Sequence, residues 1–370
     1  MNDPFNSTEP AEPSRESDSP ARSNSPVTGD VEASLASKAI AAEQSPEAES
    51  PEAEAPPIVQ VSASQPTAAD GPWSGGFAAA ICRPPSPRVW SALLVGALAL
   101  PLGLAISGVA AIIVIGVKGG ESALLNRAEF TRRADELSMT PGGLAAMVIP
   151  GQVVFLGLAV GAALLSPEGL RQRLRLVRGR MPVWTWPILA MATPAIGFAT
   201  SIVLGAWVSE PSDHARELER MLREYDSRLL PMLFLLVAAL PGLAEELLYR
   251  GYLQSRLLRA WPARIAILLS AVMFGIAHID PFHALTVIPL GIWLGIVSWK
   301  ADSLGPAILG HMTNNGLALL LARGVDRGST PPVVPPSLAF AVFVAFASLM
   351  ISLPLLALAG RPNPRQLSQT

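Results

Sequence analysis

Residues 240–253 read Leu240-Pro-Gly-Leu-Ala-Glu245-Glu246-Leu-Leu-Tyr-Arg250-Gly-Tyr-Leu253. Three ionisable groups stand in a run that is otherwise mostly apolar, and the apolar character extends upstream through Leu229. An apolar run of around 20 residues is what a helix needs to cross a bilayer. A charge near the middle of a bilayer costs roughly 2.5–3.5 kcal/mol on insertion scales. Three such groups facing lipid would cost on the order of 8–10 kcal/mol, comparable with the stability of a whole domain. They must therefore face the interior of a bundle and pair. Glu246 and Arg250 are four positions apart, so they share a helix face and are expected to form an ion pair. Glu245 is rotated about 100° from that face and is left to address another group.

The rest of the chain fits this setting. Its 370 residues are 50% apolar and 15% charged, with a mean hydropathy of +0.40. Soluble domains carry about 25% charged residues. Apolar runs at 89–117, 142–165, 183–207, 229–255, 263–279, 282–300, 304–323 and 337–359 predict an all-α, multi-pass transmembrane helix bundle of about eight spans. The run 263–279 is short and suits a span shielded by its neighbours. Pro101, Pro194, Pro241 and Pro289 fall inside spans, where neighbouring helices can satisfy the backbone groups they free. The stretches 121–138 and 212–228 mix charges with apolar residues at helical spacing, as in a helix on the membrane surface or a solvated one. Trp184, Trp186, Trp207, Trp261 and Trp299 lie near span ends and read as interfacial anchors.

Residues 1–80 hold 13 acidic and 3 basic residues, against 16 and 24 in the remainder. Rich in Pro, Ser, Ala and Glu, with the repeat Ser45-Pro-Glu-Ala-Glu-Ser50-Pro-Glu-Ala-Glu, this segment reads as a disordered tail before a helical membrane domain at 81–360. No cleavable signal peptide is read in its acidic start. The lone Cys82 excludes an intrachain disulfide and a cysteine-based metal site, and reads as an unmodified thiol. With the N-terminus inside, 13 Lys and Arg residues fall on the inner side and 10 on the outer. The dense cluster Arg171–Arg180 in a short loop decides for cytoplasmic N- and C-termini. The bilayer is the expected partner, and no nucleic acid is.

Two further spans are polar where they should be apolar. One carries Phe274-Gly-Ile-Ala-His278 and the other His311-Met-Thr-Asn-Asn315, each with its outer residues four apart on one face. Glu245 lies roughly 16 Å above Arg256, His278 roughly 21 Å above Arg264 and His311 roughly 10 Å above Leu304, at 1.5 Å per residue. These levels are compatible with one buried site. A carboxylate among apolar helices is suited to act as a general base. Glu245 is the candidate to activate water, His278 to hold that water and shuttle its proton, and His311 with Asn315 to donate hydrogen bonds to an oxyanion. Glu246 with Arg250 positions the helix. Ser270 and Ser298 lack a Gly-x-Ser-x-Gly setting, so a serine mechanism is not expected. Glu245, His278 and His311 could also bind zinc, without the local His-Glu-x-x-His spacing; a metal-free glutamate mechanism uses the same residues. Asn314, His283 and His214 read as structural, loop and surface residues.

Glu245-Glu246-Leu-Leu-Tyr-Arg250, Phe274-Gly-Ile-Ala-His278 and His311-Met-Thr-Asn-Asn315 together resemble the CPBP family, the CAAX-protease and bacteriocin-processing group of intramembrane proteases. The resemblance covers about 229–323, with all three motifs intact and in order. It implies a helical bundle of about eight spans and an endopeptidase with Glu245 as base, His278 as its water-binding partner, and His311 with Asn315 as the oxyanion site. Eukaryotic members remove the last three residues of prenylated Cys-a-a-X proteins, so the resemblance implies a peptide or lipidated protein substrate as partner. Two other functions compete on the residues alone: a non-catalytic immunity or scaffold protein, and a transporter that relays protons through buried carboxylates. No inverted repeat supports the transporter, and the His311/Asn315 pair has no role there.

Overall fold

A computed structural model describes residues 89–207, 213–325 and 333–360. The expected tail, Cys82, Arg361 and Arg365 lie outside the described residues. All the long elements are helices: α1 (Val89–Leu125), α2 (Arg127–Ser138), α3 (Pro141–Leu164), the single turn α4 (Leu170–Arg173), α5 (Thr185–Gly205) and α6 (Asp213–Glu224). They continue with α7 (Ser227–Leu257), α8 (Ala263–Ile276), α9 (Pro281–Ala301), α10 (Gly305–Gly324) and α11 (Pro336–Leu358). Six of these helices (α1, α3, α5, α7, α9 and α11) are long and apolar enough to cross a membrane, as expected of a multi-pass integral membrane protein.

The expected count of about eight spans is thus corrected to six by length and composition. The two runs that fall out do so for different reasons. α8 has 14 residues, about 21 Å of helix, well short of a hydrocarbon core of about 30 Å. α10 has 20 residues, but His311, Thr313, Asn314, Asn315 and Arg323 make it too polar. Both nonetheless bring side chains into the interior: Phe274 of α8 and His311 of α10 are buried.

Polar breaks shape the ends of the helices. Gly120 at φ +70 interrupts α1 in a conformation that a side chain would disfavour, and the chain then turns into α2. Asn126 caps α2 by accepting from the backbone N–H groups of Ala128 and Glu129, and Thr140 caps α3 through Gly143. α2 and α6 replace the two expected amphipathic segments, with shorter bounds. Met221, Leu222 and the adjoining Tyr225 pack with Leu144, Leu233 and Leu319 at one end of the bundle. At the opposite end of α7, Arg173 of α4 is fully buried and donates to Ser255 Oγ at 2.8 Å. Its burial, and then the nearby Arg256 and Arg259, push the Arg173 pKa down to about 10. The Arg175–Asp302 ion pair and the hydrogen bond from Leu304 N to Arg175 O anchor the start of α10 on this side.

α7 is the axis. Leu247 to Gln254 are all buried, so this stretch is enclosed on every side rather than on one stripe. α9 approaches α7 at Gly295, where a Cβ would lie 2.6 Å from Gln254 Oε1, and approaches α8 at Gly291, where a Cβ would lie 3.1 Å from Phe274 and Ala271. Small residues four apart allow this kind of approach between membrane helices. The exposed carbonyls are then used: Arg250 Nη2 donates to Gly291 O at 3.1 Å, and one turn on, Gln254 Nε2 donates to Gly295 O at 3.0 Å.

Pro241 reshapes the middle of α7. It has no N–H to give to Val237 O, and the helix around Leu235–Ala239 widens to π geometry, with Leu240 N bonded to Leu235 O. The following Gly242 lets α10 in, since a Cβ there would fall 2.7 Å from Met312 Cγ and 3.1 Å from Met312 N. Met312 can bend its side chain away, but its backbone cannot yield without moving α10. Gly242→Leu is therefore expected to lower stability by about 1–3 kcal/mol. It should also part Glu246 from His311, seen as a lower unfolding midpoint in detergent together with lost activity.

Candidate active site

Glu246 is fully buried, and its Oε1 accepts from Arg250 Nη1 at 2.6 Å and from His311 Nδ1 at 3.0 Å. The first bond is the pair expected from spacing within α7; the second joins α7 to α10. Since Oε1 already accepts from Arg250, the His311 Nδ1 must carry its proton toward Glu246. Arg250 is also fully buried, and its guanidinium lies 4.3 Å from the Phe274 ring centroid, a cation–π contact in a setting with little water.

Phe274 links the parts. Its ring meets His311 edge-on at 5.6 Å and His278 at 4.9 Å, and its backbone O lies 2.9 Å from His278 Nδ1. A carbonyl only accepts, so Nδ1 of His278 carries the proton and Nε2 offers a lone pair. The bond exists because α8 ends at Ile276: a carbonyl in the last turn has no helical partner, and the His278 side chain supplies one. This corrects the expectation that His278 lies within a span. It sits in the turn between α8 and α9, followed by Ile279 at φ +65 and by Asp280, which caps α9 through His283 N at 2.6 Å. The His283 ring lies 5.0 Å from that of His278.

Glu245, on the neighbouring face of α7, is 12% exposed. Its Oε2 is 4.0 Å from His311 Nε2, and its Oε1 accepts from Gln152 Nε2 at 3.2 Å. Asn315 stands one turn beyond His311 on α10. Its Nδ2 donates to Val237 O at 3.2 Å, the carbonyl that Pro241 leaves without a partner, and its Oδ1 accepts from Asn314 Nδ2 at 3.1 Å. These two bonds fix which way the carboxamide faces and leave one Asn315 N–H to donate elsewhere.

The structure thus brings Glu245, Glu246, Arg250 and His311 together, with Asn315 one turn away and His278 reached through Phe274. No hydrogen bond joins Glu245 to His278 among the described residues. The set Glu245, His278 and His311 does not meet as a zinc site: among the described residues, no three His, Cys, Asp or Glu side chains are placed to hold one ion. His278 Nδ1 and His311 Nδ1 are both committed to protein acceptors.

Two residues of this site were not singled out from the sequence. Gln152 is a lone carboxamide in the apolar run of α3, a signal of the kind that singled out Glu245. Asn314, read as structural, instead bonds the Asn315 side chain, and Gly197 of α5 makes room for it: a Cβ there would lie 2.8 Å from Asn314 Oδ1.

A helical membrane bundle with a buried Glu and His cluster is consistent with a glutamate- and histidine-dependent intramembrane protease mechanism. Residues 227–317 match the family described as Type II CAAX prenyl endopeptidase Rce1-like, and the chain carries a domain of that family. The match takes in α7, α8, α9 and the first part of α10, and with them all three motifs. Neither the curated proteins nor the solved structures compared with the chain gave a match.

Proposed function

We propose that this protein is an endopeptidase that hydrolyses a peptide bond of a membrane-associated substrate with water activated by Glu245. The observation that carries the reading is the division of labour between adjacent carboxylates. Glu246 is used up by Arg250 and His311, whereas Glu245 keeps one oxygen toward the His311 ring and some access to solvent. A structural pair alone would leave Glu245 without a purpose in so apolar a place.

In this mechanism the water donates to Glu245 and to Nε2 of His278, and Glu245 takes its proton as the oxygen attacks the scissile carbonyl carbon. The oxyanion accepts from the remaining Asn315 N–H and from His311. His311 is held to Glu246 through Nδ1 at 3.0 Å and turns Nε2 toward Glu245 Oε2, 4.0 Å away. Collapse of the tetrahedral intermediate breaks the C–N bond. The proton held by Glu245 passes to the leaving nitrogen, and the second proton of the water follows it from the new acid, giving a carboxylate and an ammonium. Buried donors aimed at a developing charge are worth far more than the same donors in water.

For the substrate, the family description favours a prenylated protein ending in Cys-a-a-X. The basic stretch Arg171–Arg180 favours an orientation with this end of the bundle in the cytoplasm. The test is cleavage by wild-type protein in detergent of matched peptides ending Cys-a-a-X, prenylated and unprenylated, read by mass spectrometry. Loss of the last three residues from the prenylated peptide, at least about tenfold faster, is expected for a site that uses remote binding energy. Equal rates would sink the prenyl-specific reading, and an intact pair of peptides would sink the substrate class.

A further inference from the structure

From the Gln152–Glu245 hydrogen bond we infer that Gln152, on α3 and outside the family match, is a positioning residue that holds the Glu245 carboxylate for catalysis. The assignment of a catalytic task to Glu245 rests on the reading above; the placement of Gln152 does not.

Three observations carry the inference. Gln152 Nε2 donates to Glu245 Oε1 at 3.2 Å across 93 residues of sequence, and this turns the other oxygen, Oε2, toward His311. The amide cannot be reversed without setting its own oxygen against a carboxylate. Next, Gln152 Oε1 is buried with no hydrogen-bond partner. An unsatisfied buried acceptor costs about 1–3 kcal/mol. An apolar residue at 152 would avoid that cost, so the carboxamide does not serve stability, and its one bond goes to Glu245. Finally, Gln152 is held in register from both sides. Phe155, nearly one turn on along α3, meets the Tyr249 ring edge-on at 6.3 Å, just as Gln152 meets Glu245 four residues before Tyr249. Behind them α1 crosses closely: a Cβ on Gly151 would lie 3.2 Å from Ser107 Oγ, and one on Gly103 3.2 Å from Phe155. The chain N-terminal to the matched domain thus contributes directly to the geometry of the candidate base.

Gln152→Met keeps the length and removes the N–H donor and the orphan acceptor together. Infrared difference spectra of the purified protein would follow the Glu245 carboxylate band, assigned by its loss in Glu245→Gln. In Gln152→Met this band should shift, and the unfolding midpoint should stay the same or rise. With a peptide that wild type cleaves, kcat should fall about 10–100-fold, the penalty of a misplaced reacting group, with KM within about twofold. An unmoved carboxylate band overturns the inference, as does an unchanged kcat in an active protein. A lower midpoint with kcat intact would make Gln152 interhelical glue and would also overturn it. If wild type cleaves no peptide, the proposed function fails on its own, and the band still decides whether Gln152 holds Glu245.

Discussion

Glu245→Gln is expected to lower kcat/KM by about 10²–10⁴-fold, the range a positioned general base contributes, with the unfolding midpoint little changed. The substitution keeps the shape of the side chain and leaves an amide oxygen for Gln152 Nε2 to bond. It removes only the capacity to take a proton. Glu245 has no guanidinium of its own, so neutralising it orphans no buried cation; Arg250 keeps Glu246 at 2.6 Å. Side-by-side cleavage assays and thermal melts in the same detergent separate the two effects. Equal cleavage by both proteins would remove Glu245 as the base. A collapsed melt would make it structural.

Arg250→Met should act through the fold instead. It leaves Glu246 fully buried with its guanidinium gone, and takes the donor from Gly291 O and the cation from the face of Phe274. Removing one partner of a buried ion pair costs about 3–5 kcal/mol, whereas replacing both with apolar groups of similar volume is often neutral or stabilising. The double variant Glu246→Leu/Arg250→Met is accordingly expected to regain most of the lost stability in a denaturant or thermal melt. Cleavage should not return with it, because His311 Nδ1 then has no Glu246 Oε1 to fix its ring. A double variant that is stable and active would show that this pair only scaffolds. One that stays unstable would show that Gly291 O and Phe274 depend on Arg250 more than the carboxylate does.

The parts of this site that could be read from the chain alone are those encoded within one helix. Glu246 and Arg250 are four apart, and that spacing announces their bond. The Glu246–His311 contact spans 65 residues and depends on Gly242 letting α10 approach, which no local pattern encodes. Gln152 and Asn314 escaped for a related reason: an amide in an apolar helix can bond to any of several helices, and only the assembled bundle selects which. The end of α8 was misjudged because Ala277-His278-Ile279 continues the apolar run. Asp280-Pro281 carried the opposing signal, since the residue before a proline is pushed out of helical geometry and Asp is a good cap. The helical class and the enclosed position of the polar groups were readable because the cost of charge in lipid leaves few alternatives. The number of crossings was not, because α8 and α10 give up length or apolarity to serve the interior.

Because the Glu246–Arg250 bond closes within a single helix, it has a bearing on biosynthesis. As α7 leaves the ribosome and partitions into lipid, its acid and its base can already neutralise one another, before any later segment has been made. Only Glu245 enters uncompensated, and its amide partner on α3 has by then been synthesised and can be waiting in the bilayer. His311 and Asn315 arrive three helices later, on α10, so the nascent chain carries an incomplete site until its C-terminal third has docked.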